Sequence, residues 1–206
     1  MVQFMSADKI ENTIPEEDQL RADLYDFLSA LLARPPGDEL LKQAAGLTGD
    51  DSDLGQAISA MARVAALTGA KAVEREFNAL FIGMARGELL PYGSFYLTGF
   101  LNERPLAMLR RDMNELHITR APTVFEPEDN IASLLEIMAG LITGRFGAPV
   151  PLARQAEFYN RHIAPWAGHF FTDLEKAKNS VFYATVGAAG RAFSEIEREA
   201  FRMNAG

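Results

Sequence analysis

The segment Glu126-Pro127-Glu128-Asp129-Asn130-Ile131-Ala132-Ser133-Leu134-Leu135-Glu136-Ile137-Met138-Ala139-Gly140-Leu141-Ile142 places Ile131, Leu134, Leu135, Met138, Leu141 and Ile142 at steps of three and four. That is the period of one broad apolar helix face. Three carboxylates precede the face, and Pro127 is tolerated in a first turn, so a helix opening at Glu126 is predicted. Gly144 and Gly147-Ala148-Pro149 stop it.

The same period recurs outward in both directions. Toward the N-terminus, Leu20, Leu24, Phe27, Leu28 and Leu31 predict a helix over 15–33, with Glu16, Glu17 and Asp18 complementing its dipole and Pro35-Pro36-Gly37 ending it. A short helix is expected over 38–45, a longer one through Leu54, Ile58, Met61, Val64 and Leu67, and another over 70–84 with Val73, Phe77, Leu80 and Phe81 on one stripe. Between Ala85 and Gly99 the period fails, while Leu89, Leu90, Tyr92, Phe95, Tyr96 and Leu97 remain apolar or aromatic. A loop of that composition is packed down or used.

Further helices are expected over 103–117, 151–162, 165–178 and 180–203. The last carries Ala184, Gly187, Ala188, Ala189, Gly190 and Ala192, small side chains that let another helix approach closely. No strand-period run, repeat or low-complexity tract interrupts the pattern. The expected architecture is an all-α compact helical bundle of about eight to ten helices. Residues 1–15 are expected to form a flexible N-terminus and 16–206 the helical domain, with a hinge at about 118–130 and two subdomains as the alternative to one body.

Composition narrows the function. The 206 residues are 48% hydrophobic and 23% charged, with 28 acidic and 20 basic side chains and a net charge of −8. Such a field disfavours a nucleic-acid partner and suits a cationic peptide. The absence of cysteine removes disulfides, thiol nucleophiles and thiolate metal sites. Neither a signal peptide nor a run of roughly 18 apolar residues is found, so a cytoplasmic protein without membrane insertion is expected.

Catalytic signatures are missing. His117, His162 and His169 form no ligand pattern, since Pro165 breaks the register between the last two. There is no phosphate-cradling loop, and Ser94 has no identifiable base. No catalytic residue, metal site or cofactor is assigned. Glu126, Glu128 and Asp129 admit two readings: carboxylates stabilising a helix start, or acceptors for the arginines of a bound peptide.

Three segments, in order, resemble the TorD/DmsD/NarJ family of cytoplasmic chaperones for molybdenum-containing oxidoreductases. The first is Glu76-Phe77-Asn78-Ala79-Leu80-Phe81 followed by Pro91-Tyr92-Gly93-Ser94-Phe95-Tyr96. The second is Glu126-Pro127-Glu128-Asp129-Asn130, which departs from the family's E-P-x-D-H at Asn130; asparagine still donates and accepts hydrogen bonds. The third is His162-Ile163-Ala164-Pro165-Trp166, with Phe182-Tyr183 downstream.

The resemblance implies a TorD-like all-helical fold and a non-enzymatic role. The protein would bind the twin-arginine signal peptide, and the apo catalytic subunit, of a molybdoenzyme of formate dehydrogenase or sulfoxide/N-oxide reductase type. It would hold that client until cofactor insertion and export. The implied apolar contacts are Phe77, Leu80, Phe81, Pro91, Tyr92, Tyr96, Pro165 and Trp166, with Glu126 and Asp129 for the arginines and Pro127, Asn130 and His162 completing the motifs. The alternatives are a NarJ-type assembly factor for a non-exported subunit and an enzyme or carrier of a cofactor such as a molybdopterin nucleotide. The family's weak guanine-nucleotide binding has no phosphate loop to support it here, and its members occur as monomers and domain-swapped dimers.

Overall fold

The computed structural model describes residues 14–83, 86–121 and 124–203. Most of the expected flexible N-terminus, Met84 at the end of the fourth predicted helix, and Pro122 within the expected hinge lie outside the described residues. In chain order the helices are α1 Glu16–Ala33, α2 Asp38–Ala45, α3 Asp53–Leu67, α4 Ala70–Phe77, α5 Gly93–Thr98, α6 Arg104–Glu115, α7 Ile131–Thr143, α8 Leu152–His162, α9 Ala167–Lys176 and α10 Phe182–Met203. A π-helical turn, Asn78–Ile82, continues α4. The fold is all-α: among the described residues the β-type pairing is one isolated antiparallel bridge, Tyr92 to Asn130.

The core is organised around α7, whose residues from Ile131 to Ile142 are buried except Ser133 and Glu136. A helix apolar on nearly every side has to be wrapped. α1 lies along it, and α8 packs against its other flank. On α1 the buried face is carried by Ala22, Tyr25, Leu28, Leu31 and Leu32, whereas Leu20 is exposed. The apolar period alone misplaces the start of this face because Tyr25 and Arg21 are turned inward by a polar partner.

That partner is Glu197 on α10, 1% exposed. Arg21 donates from Nε and Nη2 to the two carboxylate oxygens at 2.8 Å each, and the Tyr25 hydroxyl donates to Oε2 at 2.8 Å. Burial opposes the charge on Arg21, but the bonds to Glu197 outweigh it and hold the guanidinium pKa above its ordinary value. A fork-on-fork pair of this kind fixes the angle at which the first and last helices meet.

α10 packs on α9 and α3. Its close approach to α9 depends on Gly187, where an added Cβ would sit 2.6 Å from the Glu175 amide nitrogen and 2.8 Å from the Phe171 carbonyl oxygen. Backbone, not a movable side chain, occupies that space, as the small-residue run in the sequence anticipates.

Replacing Glu197 by Ala leaves the buried Tyr25 hydroxyl without its acceptor and the half-buried Arg21 guanidinium with Asp18 alone, and is expected to cost about 1–3 kcal/mol of unfolding free energy in a urea titration. Replacing Arg21, Tyr25 and Glu197 together by Met, Phe and Leu removes every polar member of the clamp and should recover most of that loss. A single-variant cost below about 1 kcal/mol would contradict the clamp.

Candidate functional site

The Pro91–Ser94 loop and the Asp129–Ala132 segment are fastened to one another. The Gly93 amide donates to the Asp129 carbonyl at 2.9 Å and the Ile131 amide to the Pro91 carbonyl at 2.9 Å, forming the bridge between Tyr92 and Asn130. Two side chains complete the clasp. Asp129 Oδ2 accepts from the Ser94 amide at 2.7 Å, satisfying a free donor in the first turn of α5. Asn130 Oδ1 accepts from the Ala132 amide at 2.9 Å and caps α7.

These bonds explain two departures from the sequence prediction. α7 starts at Ile131, not Glu126, because Asn130 is its cap while Pro127 to Asn130 form a turn closed by a 3.1 Å amide-to-carbonyl bond. Residues 93–98, where no period was visible, form α5 because a carboxylate distant in sequence stabilises its start.

The third motif supports the clasp from behind. Trp166, 1% exposed, packs its indole against Gly93, where an added Cβ would meet Nε1 at 3.0 Å. The Trp166 Nε1 donates to the His162 carbonyl at 2.8 Å. The His162 ring lies 2.8 Å from Asp112 Oδ2, which also accepts from Arg161 at 2.6 Å. Tyr96 stacks on Trp166 with centroids 5.3 Å apart and donates to Asp173 at 3.0 Å.

In front of the clasp lies a groove of about 880 Å³ between the C-terminal end of α1, the Pro35–Gly37 turn, the start of α2, the π-helical turn, Pro91-Tyr92 and the N-terminal half of α7. Its apolar wall includes Phe77, Phe81, Pro91 and Tyr92, with the exposed Ile82 and Val124 at the rim. Asp26, Glu39, Glu126 and Glu136 also line it, against one lining cation, Arg34. Asp26 is paired with Arg145, two residues beyond the end of α7. The Tyr92 hydroxyl donates to Glu126; burial first, and then that carboxylate, raise its pKa above the ordinary phenol value.

Of the residues singled out in the sequence, Phe77, Phe81, Pro91, Tyr92, Glu126 and Asn130 come together in this groove. Leu80 is wholly in the core, Trp166 is a buried anchor, Tyr96 covers Trp166, and Pro165 is exposed in the turn before α9. Pro127 is half-buried in the turn ahead of α7. Asp129 and His162 line a separate cavity of about 110 Å³ with Gly93, Leu97, Leu109 and Arg161. Asp129 is 3% exposed, so in this conformation its work is to hold the loop, and its Oδ1 has no partner among the described residues.

Two glutamates not singled out as site residues hold the aromatic wall, Glu76 within the first motif and Glu88 outside the motifs. Glu76 accepts from the amides of Val181, Phe182 and Tyr183 at 2.7 to 3.2 Å, capping α10. Glu88 accepts from the amides of Lys178 and Asn179 at 2.7 and 3.2 Å. Together they fix α10 beside Phe77 and Phe81, whose rings contact Tyr183 at 5.9 and 5.5 Å. Glu128, next to the clasp, binds Arg110 at 2.9 Å and lies 3.6 Å from Arg120. Burial pushes its pKa up, but the two arginines prevail and leave it below the ordinary value. Among the described residues no three of His, Asp and Glu are grouped to hold a metal.

Asp129→Ala strips the Ser94 amide of its acceptor and should lower stability by about 1–3 kcal/mol, with faster hydrogen exchange at Ser94. Asp129→Asn keeps an acceptor and should restore most of it; equal losses would remove the carboxylate from this role. His162 gives a pH test. Burial lowers its pKa below 6.5, with Asp112 opposing, so the unfolded chain takes up the proton first. The stability present above pH 6.5 should decline as pH falls through that value. His162→Gln should flatten that decline in denaturant titrations.

A family model described as nitrate reductase delta subunit matches residues 47–172, well over half of the chain. The chain is 32% identical over 113 residues to a protein named as the Tat proofreading chaperone DmsD of Haemophilus influenzae, covering 54% of this chain and 53% of that protein. It is 27% identical over 173 residues to the chaperone protein TorD of Vibrio cholerae, covering 74% and 79%. The matched region thus spans about half the length of the first relative and more of the second. A solved structure described as a redox enzyme maturation protein of Archaeoglobus fulgidus superposes with a TM-score of 0.55 at 18% identity, over 92% of this chain and 99% of that one. At that identity the likeness shows a shared fold.

Proposed function

This chain belongs to the nitrate reductase delta subunit family, and from that premise we propose that it is a non-catalytic maturation chaperone for a redox enzyme, which receives the client's twin-arginine signal peptide in the groove in front of the clasp. The carrying observation is the groove's composition: an aromatic wall of Phe77, Phe81 and Tyr92 beside carboxylates Asp26, Glu39, Glu126 and Glu136. A signal peptide offers the complement, an apolar stretch next to paired arginines. Desolvating one leucine of that stretch contributes about 1.5–3 kcal/mol, and the carboxylates select for cationic side chains beside it.

The related chaperones named DmsD and TorD support this role. The client is the apo catalytic subunit of a molybdoenzyme, of formate dehydrogenase or sulfoxide/N-oxide reductase type, held in the cytoplasm until its cofactor is in place. Among the described residues no helix is long and apolar enough to cross a membrane. The chaperone acts as a monomer or a domain-swapped dimer whose exchange hinge falls within 118–130.

The test is an anisotropy titration with a labelled twin-arginine leader peptide. Phe81→Ala should weaken binding about tenfold, equivalent to about 1.4 kcal/mol. Lysines in place of both arginines should also weaken it, because an ammonium lacks the planar donor fork. Affinity should fall with added salt. A pull-down from cells that recovers a molybdoenzyme subunit equally well with and without its leader would replace the signal-peptide reading by that of a leader-independent assembly factor.

A further inference from the structure

The end of α1 is left open on the groove. An α-helix finishes with carbonyl oxygens that need donors from elsewhere. Four positions beyond Leu31 and Leu32 stand Pro35 and Pro36, which have no N–H to give. The Tyr183 hydroxyl serves the Leu31 carbonyl at 2.8 Å. Among the described residues nothing donates to the carbonyls of Leu32 and Ala33, and no basic residue stands in the last turn. Leu32 is buried and Ala33 exposed, and both line the groove.

Every residue from Leu32 to Gly37 lines the groove. The negative end of the α1 dipole therefore adds to the field of the carboxylates. Glu39, in the first turn of α2, also lines the groove and has no hydrogen bond or ion pair among the described residues. Asp26, by contrast, is occupied by Arg145. An unpaired carboxylate thus lines the groove together with the two residues whose carbonyls find no donor among the described residues.

We propose that the open C-terminus of α1 is a guanidinium subsite, in which an arginine of the bound leader donates to the carbonyls of Leu32 and Ala33 while Glu39 balances its charge. The planar guanidinium carries several N–H groups in fixed directions and can serve neighbouring acceptors together, which a single ammonium does less well. The two prolines then have a use besides ending the helix: they keep the chain's own amides from filling the site. Arg34, the lining cation, has no ion pair among the described residues and is the resident competitor for it. This assignment rests on the reading of the groove as the leader site.

The experiment compares a twin-arginine leader peptide with the same peptide carrying citrulline, the neutral isostere, at the arginines. Each is titrated against wild type, Glu39→Gln and Arg34→Gln. Glu39→Gln should weaken the arginine peptide about fivefold and leave the citrulline peptide unchanged, while Arg34→Gln strengthens only the arginine peptide. A photoreactive diazirine beside the arginines should label residues 32–39. Equal effects on both peptides, or labelling confined to residues 77–82, would overturn the subsite while leaving the groove as the leader site. Failure of wild type to bind either peptide would instead overturn the groove reading, and the subsite with it.

Discussion

The clasp between Pro91–Ser94 and Asp129–Ala132 is the constraint on which the functional face depends. Two backbone hydrogen bonds, one buried carboxylate and one asparagine cap join a glycine-rich loop to the first turn of the most buried helix. Without it, α5 has no acceptor at its start and α7 has no cap. Trp166 behind Gly93 makes the approach tight, since a Cβ at that position would come within 3.0 Å of the indole Nε1. The three recognisable motifs are thus one structural unit, and the groove is the surface this unit presents together with α1.

The electrostatics of that face follow from which carboxylates are already engaged. Asp129, Glu76 and Glu88 spend themselves on backbone amides, Glu128 on arginines of the same chain, and Glu197 on Arg21. Such groups position elements and are poor candidates for a partner's charge, because exchanging their bonds would cost what they now supply. Glu39 and Glu136 on the groove carry no side-chain hydrogen bond among the described residues. The division separates carboxylates that build the fold from those that face outward, although all are identical in composition.

The helices were legible wherever burial follows a regular period. α7 is the clearest case, since its apolar face is so broad that the residues between Ile131 and Ile142 admit no other element. Legibility failed where a tertiary partner overrides the local pattern. The start of α5 waits on Asp129 and the inner face of α1 on Glu197, both contributed from far along the chain. The π-helical turn at Asn78–Ile82 likewise has no signature in spacing alone. For the site, motif likeness gathered residues that meet around one groove, but it could not tell lining residues such as Phe81 and Tyr92 from supports such as Leu80 and Trp166. Burial separates them, and burial is a property of the whole packing. Pro35-Pro36-Gly37 was readable as a helix stop, yet its second effect depends on where α1 points.

On the proposed function, the face in front of the clasp, and no other, receives the signal peptide. Hydrogen–deuterium exchange of the full chain, with and without a saturating twin-arginine leader peptide, tests it most directly. Protection is expected to gather in residues 30–40, 77–82, 91–94 and 130–136. Protection centred instead on the outer faces of α9 and α10, with the clasp amides unchanged, would contradict it.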